Sequence, residues 1–574
     1  MRKDEYLRSA VELLRYLPDN TRTFVQTVIY ALAAGSSAVC FMVLLNFAYK
    51  HTFVAFSLRS PAFFLISSFL LIIGSSLVVG ILLTKFVPDA AGSGIPQLKA
   101  AYWKEVGYVP GISVLIKFVA GILSIGGGAS LGREGPTVYI GGGIASNIAG
   151  ALGTPVRRRR SAVVVGASAG LAAAFNAPLA AIAFILEEIV GDINSRFIGR
   201  VVLSSVVGAF VVFALIGKQP AFKLPSVESV SWVHYFIVPV VALAASLLGV
   251  VFQRSVLISR SFIRKRKDIP HWLMPCCGGF IVWVIGSCAF LTTGKLGVFG
   301  LGYDDLSNAL HNDFIWWIAG ILVVAKLLAT IASYSFGACG GIFSPSLFIG
   351  GMCGFFIGGI ADFWIPLSPS DRIVLSAVGM STCLGAIIRA PLTSLLIVFE
   401  MTHQFSVVPA LMVGTIISVL VSHAASKANF YDSMLLQDGH ELIKIRPPVD
   451  IKSWQKLPIS SIANPHPVIV QSLSESHLRG IHEDHPYHCF PVTLGDGRFG
   501  LITRQEIESI LKHKAVPEIP VAATCRADQT VLDVGNKFIE SPHGCIIVLD
   551  ENTGKVAGIV TLHDLLRAQA SILS

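Results

Sequence analysis

The sequence predicts an all-α polytopic membrane protein built from two repeated halves and followed by a small α/β domain. Three observations predict this fold class. Only 14% of the 574 residues are charged and 53% are hydrophobic, with a mean hydropathy of +0.68, whereas soluble domains carry about 25% charged residues. Many apolar runs are long enough to cross a bilayer. A polar segment with strand-like patterns follows the last of them.

The apolar runs predict roughly ten to twelve membrane elements. Nine long runs occupy residues 24–49, 62–87, 161–187, 197–216, 232–258, 272–291, 314–332, 373–399 and 407–421, and three shorter, glycine-broken runs occupy 111–130, 137–152 and 342–364. Basic residues gather in the loops at 157–160 and 264–267, as the positive-inside rule expects on the cytoplasmic side. Because long apolar runs flank both clusters, the net charge of +9 predicts no nucleic-acid partner.

Composition divides the chain into successive parts. We predict a cytoplasmic N-terminal segment at 1–23, a membrane domain at 24–431 with halves of about 24–217 and 232–431, a linker at 432–452, and two modules at 453–513 and 514–574. The N-terminus is charged and shows no cleavable signal pattern. Strands are expected at 467–470 and 544–549.

The spacing of cysteines and histidines predicts no metal site. The ten cysteines are scattered, without the spacing of a metal site or disulfide framework. His482, His485 and His488 recur every third residue, but Pro486 breaks any helix that would align them. We therefore predict a solvated loop there.

An internal repeat marks the two membrane halves. Residues 166–179 match 379–392, and both segments end in Ala-Pro-Leu. A glutamate follows each proline at the same spacing, as Glu187 and Glu400. An upstream element at 135–142 matches 344–351, in the same order. Transporters commonly use such repeats, with the site where the halves meet.

Three glycine- and proline-rich strings interrupt the apolar segments. They are Gly92-Ser-Gly-Ile-Pro96, Gly132-Arg-Glu-Gly-Pro136 and Gly340-Gly-Ile-Phe-Ser-Pro345. Each indicates a break followed by a helix start, because proline is favoured in the first turn. Backbone N–H groups at a helix start attract an anion, and irregular backbone in a membrane must be buried in protein or line a cavity. One string alone would indicate a helix kink, whereas three together predict a shared anion site.

These strings resemble the signature motifs of the CLC family of chloride channels and transporters, over about 92–431. The resemblance implies an inverted repeat that works as a homodimer with one anion pathway per subunit, in the cell inner or plasma membrane with cytoplasmic termini. It implies that chloride is held by the Ser93 hydroxyl, the Ile342 and Phe343 N–H groups, and the Tyr431 hydroxyl. Position alone would make Tyr431 an interfacial belt tyrosine. Serine at position 93 implies chloride, since relatives with proline there tend towards nitrate.

Glu134 immediately precedes the helix start at Gly135-Pro136. A carboxylate there is itself an anion, so it can occupy the place of a chloride, and protonation frees that place. Glu134 is thus predicted to be the gating and proton glutamate, because intramembrane carboxylates are functional by default. The alternative is a structural ion pair with Arg133.

Glu187 and Glu188 follow directly after the apolar span 161–185, apart from Leu186. In the family, the second glutamate of this pair marks proton-coupled exchangers and delivers protons from the cytoplasmic side, whereas channels carry an apolar residue there. The resemblance therefore implies internal proton transfer by Glu188. A solvated acidic residue at a helix end is the alternative. Glu187 and Glu400 are interpreted as structural, satisfying helix ends at the repeat interface.

The C-terminal tail resembles a pair of CBS modules, with a shared strand–turn–helix pattern at 500–507 and 558–565. Thr561 and Asp564 have the spacing of adenosine-binding modules, which implies an adenine nucleotide with its phosphate near the hydroxyl and its ribose at the carboxylate. The first module departs, with Glu506 in the acidic place. A purely structural or dimerising tail is therefore the alternative.

These patterns together predict a proton/chloride antiporter whose tail modulates activity, with chloride, protons and membrane lipid as partners and no required cofactor. A passive voltage- or pH-gated chloride channel of the same fold is the main alternative. A membrane-anchored enzyme or nucleotide sensor lacks support, since the sequence has no nucleophile–base arrangement and no phosphate-binding Gly-Lys-Ser/Thr string. A cation transporter would need carboxylates in spans that mostly lack them.

Overall fold

A computed structural model describes residues 16–156, 159–192, 197–217, 232, 234–266, 268–440, 455, 457–494, 498–514, 516–541, 543–550 and 554–571. Predictions that concern residues 1–15, 157–158, 267 and 441–452 lie outside these ranges. The chain divides into two units, Met1–Ile445 and Arg446–Ser574. Each unit is considered by itself below.

The named elements of the first unit are all helices. They are α1 Asp19–Tyr49, α2 Pro61–Lys85, α3 Ile95–Trp103, α4 Gly111–Gly126, α5 Glu134–Ala151, α6 Arg160–Phe175, α7 Pro178–Phe184, α8 Ile198–Leu215, α9 His234–Arg264, α10 Met274–Thr293, α11 Tyr303–Leu310, α12 Trp316–Ser335, α13 Phe343–Ala361, α14 Pro369–Ile388, α15 Pro391–Thr402, α16 Val408–Ala425 and α17 Phe430–Gln437. Within the part of the chain that the structure describes, nine helical segments are long and apolar enough to cross a membrane.

Two runs predicted as single spans are each two helices. The run 161–187 breaks between α6 and α7, and the run 373–399 breaks between α14 and α15. The break residues, Asn176 and Arg389, have positive φ of 53° and 55°. An Ala-Pro pair follows each of them, and proline starts a new helix because it cannot continue the old one. The prediction was wrong because apolar composition continues through both breaks.

Matched glycine contacts confirm the two repeated halves. Helices α5 and α6 pack together in the first half, as α13 and α14 do in the second. A Cβ added to Gly141 would overlap the backbone oxygen of Gly166, and one added to Gly350 would overlap that of Gly379. The first glycines of the two pairs lie 209 residues apart and the second 213 apart, the offsets of the sequence repeat. Small residues therefore let the helix backbones meet at equivalent places.

Glu187 and Glu400 each cap a helix in the opposite half of the repeat. The Glu400 carboxylate accepts hydrogen bonds from the N–H groups of Leu179 and Ala180, at 2.9 and 2.7 Å, in the first turn of α7. The Glu187 carboxylate accepts from the N–H and hydroxyl of Thr393, at 2.9 and 2.6 Å, in the first turn of α15. These contacts confirm the structural interpretation of both glutamates. They also make α7 and α15 antiparallel, as an inverted repeat requires.

The second unit contains two similar sets of elements, and the second set has an additional strand at its start. The first set is α18 Glu475–Asp484, β1 Cys489–Thr493, β2 Phe499–Thr503 and α19 Arg504–His513, and the second is β3 Ala523–Arg526, α20 Val531–Glu540, β4 Cys545–Leu549, β5 Val556–Thr561 and α21 Leu562–Ser571. Strands β1 and β2 pair antiparallel, and β4 lies between parallel β3 and antiparallel β5. Each set has its own apolar core.

Of the two strands predicted in this unit, one is present as predicted and the other is not. The strand at 544–549 is confirmed as β4. The strand at 467–470 is reduced to a single bridge between Val470 and Val492, in which the Val470 N–H donates to the Pro491 oxygen at 2.8 Å. Continuing the parallel ladder would need the N–H of residue 491, which proline lacks.

Candidate functional site

The structure brings the three glycine-rich strings together. The Gly92 N–H donates to the Ala338 oxygen at 3.1 Å, and the Gly340 N–H donates to the Gly92 oxygen at 3.1 Å. Gly132 and Gly341 exchange two backbone hydrogen bonds, of 2.7 and 2.6 Å. These two glycines are 209 residues apart, so the two halves meet at equivalent positions. The backbone breaks therefore satisfy one another instead of facing lipid.

Two buried hydroxyl groups face each other beside these strings. Ser93 is 1% exposed and Tyr431 0%, and the two side chains interact. Among the described residues, neither oxygen has a hydrogen-bond partner of proper geometry. A Cβ on Gly135 would lie only 2.7 Å from the Ser93 backbone oxygen, so this position requires glycine. A buried hydroxyl without a partner needs an explanation, which a bound water or ion can provide.

Helix starts surround the same region. Helix α3 begins after Gly94, α5 begins at Glu134, and α13 begins at Phe343 after the N-cap Ile342. Ile342 and Phe343 are both fully buried. The first N–H groups of a helix have no acceptor within the helix, and they carry the positive end of its dipole. An anion at this place would be stabilised by backbone groups without a bound metal or a buried cation.

Glu134 is fully buried at the start of α5. Its Oε1 accepts hydrogen bonds from the Tyr303 hydroxyl at 2.7 Å and from the Ser344 hydroxyl at 2.5 Å. Its Oε2 has no hydrogen-bond partner in the described part of the chain. A Cβ on Gly132 would overlap this oxygen and lie 3.0 Å from the Ser344 nitrogen, so the carboxylate is beside the N-terminus of α13.

The alternative ion pair between Glu134 and Arg133 is not formed. The Arg133 guanidinium donates to the Ala174 backbone oxygen at 3.1 Å, and its carbon lies 5.5 Å from the centre of the Tyr303 ring. Adjacent side chains thus diverge around the helix start. In the described part of the chain, the Glu134 carboxylate therefore has hydroxyl donors and no paired cation.

Glu188 lies in a buried ionic cluster. Its Oε1 accepts from the Lys99 ammonium at 2.6 Å, and its Oε2 accepts from the Asn429 side chain at 2.8 Å. The same ammonium donates to Asp432 at 2.5 Å. Glu188 is 2% exposed, which contradicts the solvated helix end considered above. The carboxylate turns inwards from a π-helical segment, Ile185–Val190, a type of turn that is frequent at functional sites.

Sequence reasoning missed five residues of this region, namely Lys99, Tyr303, Ser344, Asn429 and Asp432. Lys99 had a usable signal, because it is a lone cation in an apolar helix. Asn429 and Asp432 flank Tyr431, and Ser344 lies inside the third string. Tyr303 had no signal, since only the fold brings it to Glu134.

Comparison with known proteins assigns the membrane part. The family model described as voltage gated chloride channel matches residues 69–423, more than half of the chain. The chain belongs to the voltage-gated chloride channel family. The match includes all the membrane-site residues predicted above except Tyr431, which lies beyond its end. A CBS domain model matches residues 516–571.

Several relatives of this chain within the family carry the name of an exchanger. The H(+)/Cl(-) exchange transporter ClcA of Vibrio campbellii is 31% identical over 387 residues, 64% of this chain and 78% of the relative. The Vibrio cholerae protein of that name is 30% identical over 388 residues, 65% of this chain and 79% of the relative. Together with the apolar helices, the family assignment makes the chain an integral multi-pass membrane protein.

Solved structures of the family share the fold. A slow cyanobacterial Cl⁻/H⁺ antiporter has a TM-score of 0.64 at 25% identity, covering 72% of this chain and 97% of that one. A eukaryotic CLC transporter has a TM-score of 0.61 at 20% identity, covering 94% of this chain and 98% of that one. The predicted fold class, a CLC-type helical membrane part followed by a small α/β CBS domain, is thereby confirmed.

The tail residues form two equivalent helix caps. The Thr561 N–H and hydroxyl donate to Asp564 at 2.9 and 2.7 Å. In the first set of elements, the Thr503 N–H and hydroxyl donate to Glu506 at 2.7 and 2.8 Å. Both are capping boxes, and both line one cleft of about 880 Å³. The Thr-x-x-acid spacing therefore has a structural role in each set, and the Glu506 departure keeps that role.

Proposed function

We propose that this chain exchanges chloride for protons across a membrane, with Glu134 as the residue at which the two ions compete. The observation that carries the proposal is the buried Glu134 carboxylate, which lies at the N-terminus of α13 with no paired cation among the residues that the structure describes. That position favours any anion, including this carboxylate or a chloride. Protonation would remove the charge of the carboxylate and leave the position to chloride.

The proposed chloride ligands are Ser93, Ile342, Phe343 and Tyr431. The two hydroxyl groups of the set are buried without partners and would donate to the ion. The two backbone N–H groups belong to the start of α13, where the helix dipole favours negative charge. Such a site holds an anion through dipoles instead of a full positive charge. The ion is therefore bound without being trapped.

Glu188 is proposed to transfer protons on the cytoplasmic side. It is buried, whereas the Asp432 side chain, which shares Lys99 with it, is 17% exposed. The Asn429 side chain, which donates to Glu188 at 2.8 Å, lies two residues before the proposed chloride ligand Tyr431. Ionisable groups inside a membrane are costly unless they serve transport. A proton path that uses both glutamates supports exchange over passive conduction.

The proposal is tested on the purified full chain in liposomes. An outward chloride gradient should drive proton uptake, and the reversal potential should depend on the pH gradient as well as the chloride gradient. A reversal potential set by chloride alone would instead establish the passive channel, the second candidate.

The family also leads us to propose a homodimer in the cell inner or plasma membrane with cytoplasmic termini. The basic loop after α9 supports this orientation.

Replacing Ser93 with proline should raise nitrate transport relative to chloride. The serine hydroxyl is an unpartnered donor at the proposed site, and a donor at a fixed place suits a compact halide. The nitrate-to-chloride flux ratio is measured in liposomes, with Ser335→Ala as control because Ser335 is another buried serine without a partner. An unchanged ratio in Ser93→Pro would show that Ser93 does not set selectivity.

The tail is proposed to modulate transport by binding an adenine nucleotide in its cleft. The Thr561 and Asp564 pair faces the cleft together with Tyr487, whose ring an adenine would contact. If this proposal holds, Asp564→Ala should abolish ATP binding by the full chain in equilibrium dialysis.

The matched control is Asp533→Ala. Asp533 forms the same capping box with Thr530, at 2.6 Å from its hydroxyl, but does not line the cleft. Both variants lose the side chain that completes one capping box, while the N-cap threonine keeps its hydrogen bond to the backbone. Equal loss of binding in the two variants would mean that only the cap matters, and no ATP binding by wild type would leave a structural tail.

A further inference from the structure

Three helix starts converge on the Glu134 carboxylate. Glu134 begins α5, Tyr303 begins α11, and Ser344 is the second residue of α13. The two hydroxyl groups approach Glu134 Oε1 to 2.7 and 2.5 Å, and the Ser344 oxygen lies 2.9 Å from the Tyr303 oxygen. The three oxygens thus form a close triangle whose members come from both halves of the repeat, and Glu134 Oε1 can accept the proton of each hydroxyl group.

This triangle suits an ionised carboxylate. A carboxylate only accepts hydrogen bonds, so it can receive the protons of both hydroxyl groups. A carboxyl protonated on Oε2 keeps Oε1 as an acceptor, but that oxygen no longer carries negative charge. Hydrogen bonds to a charged acceptor are about twice as strong as neutral ones. The two hydroxyl groups therefore favour the charged form of Glu134 at its place beside α13.

No cation neutralises the carboxylate within the described residues around it. Arg133 donates to the Ala174 oxygen, and Asp305, near Tyr303 in sequence, accepts from the Gly297 N–H at 2.6 Å. The neutral Tyr431 phenol is the other titratable group near Glu134. The hydrogen-bond donors to the Glu134 carboxylate are thus Tyr303 and Ser344. Tyr303 is half-buried while Glu134 is fully buried.

We propose that Tyr303, assisted by Ser344, is a positioning residue that holds ionised Glu134 in the pathway. It thereby sets the external pH at which the Glu134 side chain is protonated and leaves the pathway. The proposal rests on the gating role of Glu134 in the proposed function. Loss of the Tyr303 hydroxyl weakens the hold in two ways. The carboxylate accepts a proton more readily, and chloride displaces it more readily. Both effects act in the same direction on chloride flux.

Tyr303→Phe should move the external pH of half-maximal chloride efflux upwards by about one unit, because a hydrogen bond to a charged group contributes about as much as one unit of proton affinity. The measurement is chloride efflux from liposomes of the full chain against external pH. Tyr49→Phe is the matched control, since the Tyr49 hydroxyl donates to the Phe299 backbone oxygen at 3.4 Å and does not contact Glu134. Its pH midpoint should equal that of wild type.

A double variant separates this role from general damage. Tyr303→Phe should change nothing further when Glu134 is already glutamine, because no carboxylate remains to be held. An unmoved or lowered midpoint in Tyr303→Phe, or an equal shift in the Glu134→Gln background, would overturn the proposal. If Tyr303→Phe does not fold, Ser344→Ala replaces it with the same expected direction. Chloride efflux without proton coupling in wild type would refute exchange and leave this test intact, since a gated channel has the same midpoint.

Discussion

Glu134→Gln should move chloride at all external pH values and should move no protons. Glutamine has nearly the shape of a protonated carboxyl, so the variant is fixed in the form that leaves the anion position free. Its amide oxygen can accept a hydrogen bond as a neutral carboxyl does, and we expect the fold to be retained. Proton uptake driven by a chloride gradient should fall to the level of protein-free liposomes, while chloride efflux persists.

The pH profile makes this test specific. Wild-type chloride efflux should rise as external pH falls, whereas efflux by Glu134→Gln should be flat across the same range. Ser146→Ala is a suitable control, because this buried serine of the same helix donates to the Gly107 oxygen, away from the site. A variant that keeps either proton uptake or pH dependence would show that Glu134 is not the residue at which the two ions compete.

Glu188→Gln should abolish proton uptake by a different route. Glutamine can keep the contact with Asn429, but it cannot carry a proton from the cytoplasmic side to the pathway. Glu134 remains free to titrate from outside, so chloride efflux should still depend on external pH. The two glutamate variants therefore share the loss of coupling and differ in their pH profiles.

The adjacent glutamate provides the control for this second experiment. Glu187→Gln changes the same side chain one residue earlier, and its amide oxygen can still cap α15 at Thr393. It should retain proton uptake. Undiminished uptake in Glu188→Gln would show that Glu188 only completes a buried ionic cluster with Lys99 and Asp432.

Local signals were sufficient to predict the fold class and the meeting of the strings. Glycine and proline at helix starts are readable because their backbone preferences are strong. The breaks at Asn176 and Arg389 were missed, since an apolar run gives no sign of a single residue with positive φ. The partners of Glu134 and Glu188 were missed for another reason. Tyr303 and Lys99 lie 169 and 89 residues from them, and only the packed fold brings them together.

The mutual capping by Glu187 and Glu400 bears on how the chain is made. The start of α7 obtains its acceptor from a glutamate about 220 residues later in the chain. During synthesis, α7 therefore enters the bilayer before its cap exists, and the ribosome must add most of the second half before the first is complete. We expect that neither half has all its helix caps when it is expressed alone. Two halves that are produced separately should reach a native arrangement only when each supplies the carboxylate that the other lacks. Assembly should therefore require one copy of each half.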